Sequence, residues 1–452
     1  MPLPESFVSR LYREWPQYAE QIVKAIEEGD AATSVRYNGA DEERKLLPEA
    51  GLVQWSRGAI YLSERPSFTL DPAFHAGNYY VQEASSMLYD AVLQKLPAAK
   101  CALDLCAAPG GKSLILADHL RTDGFLLSNE YIPKRAEVLL ENLNKWGNSR
   151  IMLSNASSAE LLATGLQFDL IAVDAPCSGE GMFRKDREAV RLWHEDLPQH
   201  CRNMQDDILN AALPMLEAGG HLIYSTCTFG YLENEAIYLR LVQQGLEAVQ
   251  LDFPEEWGLI DAHVQYPDIR KGTAYHAFPG YTRGEGFFVC AFQKKSTPGQ
   301  IPSTANSAYL VPEEIQLEGL VTSSPLGCYK FKNQLFTATQ SQAATAMHVV
   351  KHLKILRLGG EVGQEKGGHF RAAHALALSR DVKFGTEYLD LPQAQALWYL
   401  ARKDFQPKAR HQGLVKVRCE GFVLGWGMFN QNKYINLFPA QYKIRMDLPK
   451  RQ

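Results

Sequence analysis

The chain has 452 residues, of which 46% are hydrophobic, and its 47 Lys and Arg nearly balance its 51 Asp and Glu. This length corresponds to about three domains, and no apolar run reaches the roughly 18 to 20 residues that a membrane span requires. The eight cysteines include no Cys-x-x-Cys pair, so we expect no disulfide framework and no metal site. Free thiols and the absence of a signal-peptide pattern favour the reducing cytoplasm.

Residues 1–75 are predicted to form a small N-terminal α+β lead-in domain. Apolar residues at helical spacing predict one helix over 4–28, which Gly29 and Asp30 end.

Residues 76–295 alternate short β-rich runs with amphipathic stretches, a pattern typical of a mostly parallel, doubly wound α/β sheet. Helices are predicted at 133–146 and 205–217, and Gly219 and Gly220 are expected to end the second. The predicted strands are 102–105, 125–128, 151–153, 170–173, 221–224 and 287–292, with the last closing the sheet.

A polar stretch at 294–307, rich in Pro, Ser and Thr, is predicted to be a linker. Residues 308–390 are expected to form an α/β connector domain, and residues 391–452 a basic, β-rich C-terminal module. From residue 401 onward there are 11 Lys and Arg against 3 Asp and Glu. This asymmetry fits a nucleic-acid-binding module and a solvated basic face about equally.

Two cysteines follow two predicted strands of the sheet. Cys177 ends the run Asp-Ala-Pro-Cys, and Cys227 lies in Ser-Thr-Cys-Thr. Ligands and reactive groups gather at the carboxyl ends of strands in such sheets. The two thiols therefore suggest covalent catalysis, in which one attacks a substrate and the other handles a proton. The alternative is a pair of buried structural cysteines.

A predicted strand, a Gly-rich turn and a predicted helix meet at residues 103–113. Cys106 stands where a Walker A loop would need its first glycine, which disfavours a nucleoside triphosphatase. A Rossmann-type loop that lets the backbone approach a bound nucleoside is the alternative. Glu130, twenty residues after Gly110, is placed to bind ribose hydroxyls. The spacing fits S-adenosylmethionine and a dinucleotide equally well.

Three motifs together resemble the Nol/Nop/Sun family of RNA cytosine-5 methyltransferases, which use S-adenosylmethionine. They are CAAPGGKS at 106–113, DAPCSGEG at 174–181, and YSTCTF at 224–229 followed by ENE at 233–235. The run MFRKD at 182–186 and the C-terminal module are most similar to the bacterial branch that modifies small-subunit ribosomal RNA. The resemblance implies a Rossmann-like methyltransferase domain and a PUA-like RNA-binding module at the C-terminus.

The resemblance also implies catalytic roles. Cys227 would be the nucleophile, Cys177 would assist release of the product, and Asp174 and Lys112 would contact the cytosine.

For the cofactor, the resemblance implies that Glu130 binds the ribose. Asn155, where the family usually carries Asp, would lie near the adenine. The remaining residues expected at the cofactor are Cys106, Ala107, Ala108, Pro109, Gly110, Gly111, Lys112, Arg135 and Asp174.

The resemblance implies 16S ribosomal RNA or the small ribosomal subunit as the substrate. We expect the protein to be a monomer and to have no membrane partner. Transfer RNA, or a non-catalytic role in ribosome assembly, are the alternatives. Asp-Ala-Pro-Cys in place of Asn-Pro-Pro-Tyr disfavours methylation of a nitrogen, and the lack of Glu-Asn-Val disfavours DNA.

RNA contacts are expected in the N-terminal domain and from Arg184, Lys185, Arg187, Arg191, Arg402, Lys403, Lys408, Arg410, Lys416, Arg418 and Lys433. Trp426, which lies between two glycines, is expected in a core rather than on the RNA.

Overall fold

The structure, a computed structural model, describes residues 2–39, 47–295, 311–367, 369–408, 411–431 and 433–448. Most of the predicted linker at 294–307 lies outside these residues, and so does Arg410. Among the helices of the described residues, none is long and apolar enough to cross a membrane.

The N-terminal part combines two helices with a small antiparallel sheet. Its elements are α1 (Glu5–Glu14), α2 (Ala19–Glu28), β1 (Ser34–Tyr37), β2 (Glu49–Leu52), β3 (Ala59–Leu62), α3 (Pro72–His75) and β4 (Tyr79–Val81). The prediction of a single helix over 4–28 is wrong. The chain breaks between α1 and α2 because Pro16 has no backbone N–H for a continuous helix. The sheet order is β2-β3-β1-β4, so this sheet extends beyond residue 75.

The central part is built on a ten-stranded sheet. Its own elements are α4 (Leu88–Leu93), β5 (Ala99–Asp104), α5 (Gly111–Asp118), β6 (Leu120–Asn129), α6 (Pro133–Trp146), β7 (Ile151–Ser154), α7 (Ser158–Ala163), β8 (Phe168–Asp174), α8 (Arg187–Leu192), α9 (Leu197–Met215), β9 (Leu216–Thr226), α10 (Glu235–Gln243), β10 (Leu246–Ala248), β11 (Ile260–Asp261), β12 (Ala274–Ala277) and β13 (Phe287–Lys294). Strands β9, β8, β5, β6 and β7 are neighbours and run parallel. The predicted doubly wound α/β class is confirmed.

Two details of the predicted sheet are wrong. Strand β13 pairs antiparallel with β9 but does not close the sheet, because β12 and β11 follow it. Helix α9 ends at Met215, before the two glycines, and β9 begins at Leu216. Leu216 is buried and pairs with Phe168, so burial in the sheet overrides the local helical pattern.

The hydrophobic core lies on both faces of the central sheet. Leu126 packs in one buried cluster and its neighbour Leu127 in another. Successive side chains of a strand point to opposite faces, so a strand buried on both sides is apolar at every position. The continuous apolar runs of the sequence have this cause.

The connector contains β14 (Glu313–Glu314), β15 (Leu320–Thr322), β16 (Gly327–Phe331), β17 (Gln334–Ala338), α11 (Gln340–Val349), β18 (Ile355–Arg357), β19 (Gly360–Lys366), β20 (His369–Ala372), α12 (His374–Leu378) and β21 (Val382–Phe384). Most of its strands form a five-stranded sheet and a two-stranded one. Strand β18 is different, because it pairs antiparallel with β7 and adds an outer strand to the central sheet.

The C-terminal module contains β22 (Glu387–Asp390), α13 (Gln393–Leu400), β23 (Gly413–Cys419), β24 (Phe422–Asn430) and β25 (Lys433–Asn436). Trp426 is 2% exposed, and its Nε1 donates a hydrogen bond to the Ala373 carbonyl at 2.7 Å. The prediction that Trp426 belongs to a core is confirmed. Phe429 and Tyr434 are also buried, so these rings hold the module together instead of offering faces to RNA bases.

Candidate active site

The structure brings the two predicted catalytic cysteines together. Strands β8 and β9 are parallel neighbours, with Asp174 opposite Ser225. Cys177 and Cys227 lie just beyond these strand ends, and their Sγ atoms are 3.4 Å apart. The two cysteines are fifty residues apart in the sequence but are in direct contact in the fold.

Lys112 and Asp174 form an ion pair in the same region. Lys112 lies in the first turn of α5, and its Nζ donates to Asp174 Oδ2 at 2.8 Å. Ser225 Oγ donates to the other carboxylate oxygen at 2.7 Å, and Tyr89 OH lies 3.1 Å from Ser225 Oγ. Burial alone would lower the pKa of Lys112, but the Asp174 carboxylate raises it overall, so the amine stays charged. The pair offers one cation and one anion at a fixed position.

Cys177 and Cys106 are both held as thiols. The hydrogen bond with Cys227 and burial raise the pKa of Cys177, and burial raises the pKa of Cys106. The negative charge of a Cys227 thiolate would add to that of Asp174 in favouring the Lys112 ammonium.

A cavity of about 490 Å³ connects the cysteines to the ends of β6 and β7. Leu105, Cys106, Asn129, Glu130, Tyr131, Ile132, Arg135, Ala156, Ser157, Ser158, Asp174, Ala175, Pro176, Cys177, Met204, Asp207, Ile208 and Cys227 line it. The predicted catalytic residues therefore lie at one end and Glu130 at the other, in a single space. Lys112 reaches this space through its partner Asp174.

Glu130 is one of the residues that line this cavity. Its Oε1 accepts a hydrogen bond from the Ile132 backbone N–H at 2.9 Å, which orients the carboxylate. Its Oε2 is buried and accepts no hydrogen bond from the described residues, although Arg135 Nη1 lies 3.4 Å away. A carboxylate in this position fits the hydroxyls of a ribose.

The Gly-rich loop lies beside this cavity and is closely packed. Arg135 Nη2 donates to the Ala108 carbonyl at 2.7 Å, and Asn142 Nδ2 donates to the Pro109 carbonyl at 2.9 Å. Gly110 has a φ of 122°, which favours glycine, and a Cβ on Gly111 would meet the Gln82 side chain at 2.9 Å. Of the predicted cofactor residues 106–111, Cys106 forms part of the cavity wall and the others support it.

Asn155 lies beside two residues of the cavity wall, Ala156 and Glu130. Its Nδ2 donates to the backbone carbonyls of Glu130 at 2.7 Å and Tyr131 at 2.9 Å. The cavity wall at this level is formed by Ala156 and its successors in the chain.

Sequence reasoning missed several residues of the site. Met204, Asp207 and Ile208 on α9 form the side of the cavity opposite Glu130 and its neighbours. The only local signal for them was the helical pattern of α9, which gives no indication of what the helix covers.

Two buried glutamates hold the loop that follows Cys177. Glu233 accepts hydrogen bonds from the Ser178 backbone N–H at 2.9 Å and from Ser178 Oγ at 2.6 Å. Burial raises the pKa of Glu233 to about 8. Glu180 accepts from Trp193 Nε1 at 3.1 Å and from the Phe229 backbone N–H at 3.0 Å. Glu180 therefore ties the loop after Cys177 to the loop after Cys227.

Arg10 of α1 completes this network from the N-terminal part. Its guanidinium donates to Glu180 and also to Glu14, which accepts from the Tyr231 backbone N–H at 3.1 Å. The N-terminal helix thus contacts both cysteine loops through charged side chains.

Two of the residues predicted to contact phosphate near Cys177 have acidic partners within the protein. Arg184 is largely buried, and its Nε donates to Glu285 at 2.7 Å, so it has a structural partner. Arg191 pairs with Glu188 on the exposed face of α8. Among the described residues no three His, Cys, Asp or Glu side chains are grouped to hold a metal ion.

Comparison with known proteins adds the family. The model for 16S rRNA methyltransferase RsmB/F matches residues 91–293, the model for the N-terminal domain of 16S rRNA methyltransferase RsmF matches 3–84, and that for the methyltransferase RsmF PUA domain matches 386–444. Ribosomal RNA small subunit methyltransferase F of Aeromonas salmonicida is 30% identical over 387 residues, covering 81% of this chain and 79% of the relative.

The chain belongs to the ribosomal RNA small subunit methyltransferase F family. The family member from Aliivibrio fischeri is 27% identical over 470 residues, which is 97% of each chain. A solved methyltransferase homolog protein from Pyrococcus horikoshii is 26% identical with a TM-score of 0.51, covering 64% of this chain and 94% of that one. NSun6 from the same organism, solved with SFG, shows the same fold at 18% identity and a TM-score of 0.54.

The resemblance noted in the sequence is therefore confirmed, as are the Rossmann-like fold and the C-terminal PUA module. Members of this methyltransferase family use S-adenosylmethionine, and this is the cofactor of the chain. The residues present fit it, since Glu130 supplies a carboxylate for the ribose in a cavity that leads to the two cysteines.

We expect Arg10→Met to destabilise the fold by about 3 to 5 kcal/mol, because it leaves Glu180 buried without its cation. Methyl transfer should fall with it, since Glu180 ties the two cysteine loops together. Urea denaturation measures the change, with Arg13→Met on the exposed side of the same helix as the control. Adding Glu180→Gln should restore stability, and equal stability of the Arg10 and Arg13 variants would contradict the role given to the ion pair.

Asp104, the last residue of β5, predicts a pH dependence. It is 1% exposed and accepts a hydrogen bond from Ser113 Oγ at 2.6 Å. Burial raises the pKa of Asp104 to about 7, whereas an unfolded Asp titrates near 3.9. The folded state binds this proton more tightly, so its stabilising contribution is complete below about pH 4 and is lost as the pH rises through about 7.

Between pH 5 and pH 8 the natural protein should therefore lose roughly 2 to 3 kcal/mol more unfolding free energy than Asp104→Asn. Denaturant titrations of both proteins at the two pH values measure the difference. Equal losses would show that Asp104 does not titrate in this range.

Proposed function

We propose that the protein methylates carbon 5 of a cytosine in 16S ribosomal RNA through a covalent bond between Cys227 and the base. The observation that carries the proposal is the contact of the two cysteine sulfurs at 3.4 Å, beside the ion pair of Lys112 and Asp174. Glu130 marks the cofactor end of the same cavity.

This chemistry needs a thiolate because carbon 5 of cytosine is a poor nucleophile. Addition of the Cys227 sulfur to carbon 6 makes carbon 5 electron-rich, and carbon 5 then accepts the methyl group. Bound S-adenosylmethionine would supply that methyl group as an electrophile and become S-adenosylhomocysteine. A base, either the Cys177 sulfur after loss of its own proton or a water molecule, then takes the carbon 5 proton. The electrons of that C–H bond form the double bond between carbons 5 and 6, and the Cys227 sulfur leaves as a thiolate, which restores the aromatic ring.

Lys112 and Asp174 suit the hydrogen-bonding edge of the base. The cytosine amino group donates hydrogen bonds and its carbonyl oxygen accepts them, so a carboxylate and an ammonium side by side complement this pair. The charges are fixed before the base arrives, because Ser225 and Lys112 hold the Asp174 carboxylate. The Lys112 cation, fixed in this way, stabilises the negative charge that develops on the ring, and the Asp174 carboxylate orients the base through its amino group.

The two cysteines have different surroundings, which supports different roles. Lys112 provides positive charge for a Cys227 thiolate. Cys177, whose pKa is raised by its hydrogen bond with Cys227 and by burial, remains a thiol beside the attacking sulfur. We assign Cys177 to the release stage, when the carbon 5 proton is lost and the bond between Cys227 and carbon 6 breaks.

The substrate is assigned from the relatives and from the C-terminal module. Curated relatives across the whole chain are named ribosomal RNA small subunit methyltransferase F, and a PUA domain model matches the module. Arg402, Lys403, Lys408 and Lys433 are exposed there and can neutralise phosphates. Both cysteines are half-buried, so the target base must be unstacked to reach them. All eight cysteines are free, which suits a protein of the reducing cytoplasm.

Single cysteine variants test the mechanism. Cys177→Ala should accumulate a covalent protein–RNA adduct that survives denaturing electrophoresis, because the release stage fails. Cys227→Ala should lose turnover completely and trap no RNA, because no adduct forms. Cys201→Ala, in a buried cysteine outside the cavity, is the matched control. If Cys227→Ala trapped RNA and Cys177→Ala turned over normally, the two roles would be reversed.

Methyl transfer to three unmodified substrates tests the target. Labelled S-adenosylmethionine is supplied with small ribosomal subunits, naked small-subunit RNA or bulk transfer RNA, and the labelled nucleoside is identified after digestion. We expect 5-methylcytosine in the subunit or its RNA. Label in transfer RNA alone would overturn the substrate, and no label with intact cofactor and RNA binding would favour a ribosome-assembly role.

A further inference from the structure

The connector lies between the ranges that the family models match, which end at residue 293 and resume at 386. Its strand β18 nevertheless belongs to the central sheet. Ile355 pairs with Ser154 and Arg357 with Leu153, so β18 covers the outer edge of β7.

Arg357 anchors this strand in the interior. It is 5% exposed, and its guanidinium donates to the backbone carbonyls of Ile151 and Asn148 and to Asn144 Oδ1. A buried arginine with three acceptors on α6, β7 and the turn between them holds β18 firmly against the central domain.

The end of β18 nearest the cofactor cavity contacts Asn155. The Asn155 backbone N–H donates to the Lys354 carbonyl at 2.9 Å, and Lys354 Nζ lies 3.4 Å from Asn155 Oδ1. The same Asn155 side chain donates to the carbonyls of Glu130 and Tyr131, whose side chains line the cavity. One side chain thus joins the connector to the loop that carries Glu130.

We infer that the connector is part of the cofactor site, and that Asn155 and Lys354 are positioning residues for Glu130. Glu130 keeps its place in the cavity wall only if its backbone is fixed, and the described hydrogen bonds to that backbone from outside the loop include both donors of Asn155. Lys354 in turn fixes the orientation of the Asn155 amide by occupying its oxygen. The inference rests on the placement of S-adenosylmethionine in this cavity.

Calorimetric titration of the full-length protein with S-adenosylhomocysteine tests it. Asn155→Ala removes two hydrogen bonds to the Glu130 loop, so affinity should fall by about tenfold or more. Lys354→Ala should weaken binding by about threefold, because its contact is long and exposed, and Lys354→Arg should restore affinity. Lys351→Ala, an exposed lysine in the preceding turn, is the control and should bind as the natural protein does.

A positioning role also predicts which kinetic and binding constants change in the variants. The KM for S-adenosylmethionine should rise in Asn155→Ala, whereas the affinity for RNA and the melting temperature should change little. If affinity for both ligands and the melting temperature fell together, the contact would be merely structural and the inference would fail.

Glu130→Ala separates failure of the inference from failure of the site. If Glu130→Ala loses affinity for S-adenosylhomocysteine while Asn155→Ala and Lys354→Ala keep it, the cavity holds the cofactor and the connector does not contribute. If Glu130→Ala keeps full affinity, the cofactor lies elsewhere and both assignments are overturned.

Discussion

The parallel pairing of β8 with β9 is the constraint on which the site depends. Two parallel strands end at the same edge of a sheet, and the register sets Asp174 opposite Ser225. Cys177 follows Asp174 by three residues and Cys227 follows Ser225 by two, so this register brings the two sulfurs to 3.4 Å from each other. The same register lets Ser225 hold the carboxylate that pairs with Lys112. A shift of one residue would separate the sulfurs and break this pair.

The loops that follow Cys177 and Cys227 are held by acidic side chains that are buried. Glu180 and Glu233 are fully buried, and an isolated buried carboxylate is strongly unfavourable. Each is offset in its own way: Glu180 has the guanidinium of Arg10, and Glu233 has neutral donors with a pKa raised to about 8 by burial. The N-terminal helix is therefore needed for its charge as well as for its shape, because it brings the cation that pairs with the buried Glu180.

Local patterns in the sequence predicted the α/β class and the two cysteines at the strand ends, whereas the family resemblance implied that Asp174 and Lys112 join them. Such patterns report burial and turns within a few residues. They could not show that Arg10 reaches Glu180, which is 170 residues away, or that β18 joins the sheet beside β7. The direction of the Asn155 amide was equally hidden, because it depends on backbone carbonyls in another loop.

The two ends of the cavity are supported by different parts of the chain. Helix α1 contacts the cysteine loops through Arg10, whereas the connector contacts the Glu130 loop through Asn155. Both supports come from outside the parallel strands that carry the reacting groups. A Rossmann-like sheet places loops at one edge but leaves them free to move, so precision at each end needs an external contact. Helix α1 and the connector, which precede and follow the sheet in the sequence, supply those contacts. Both therefore pack against the central part and are not separate binding modules.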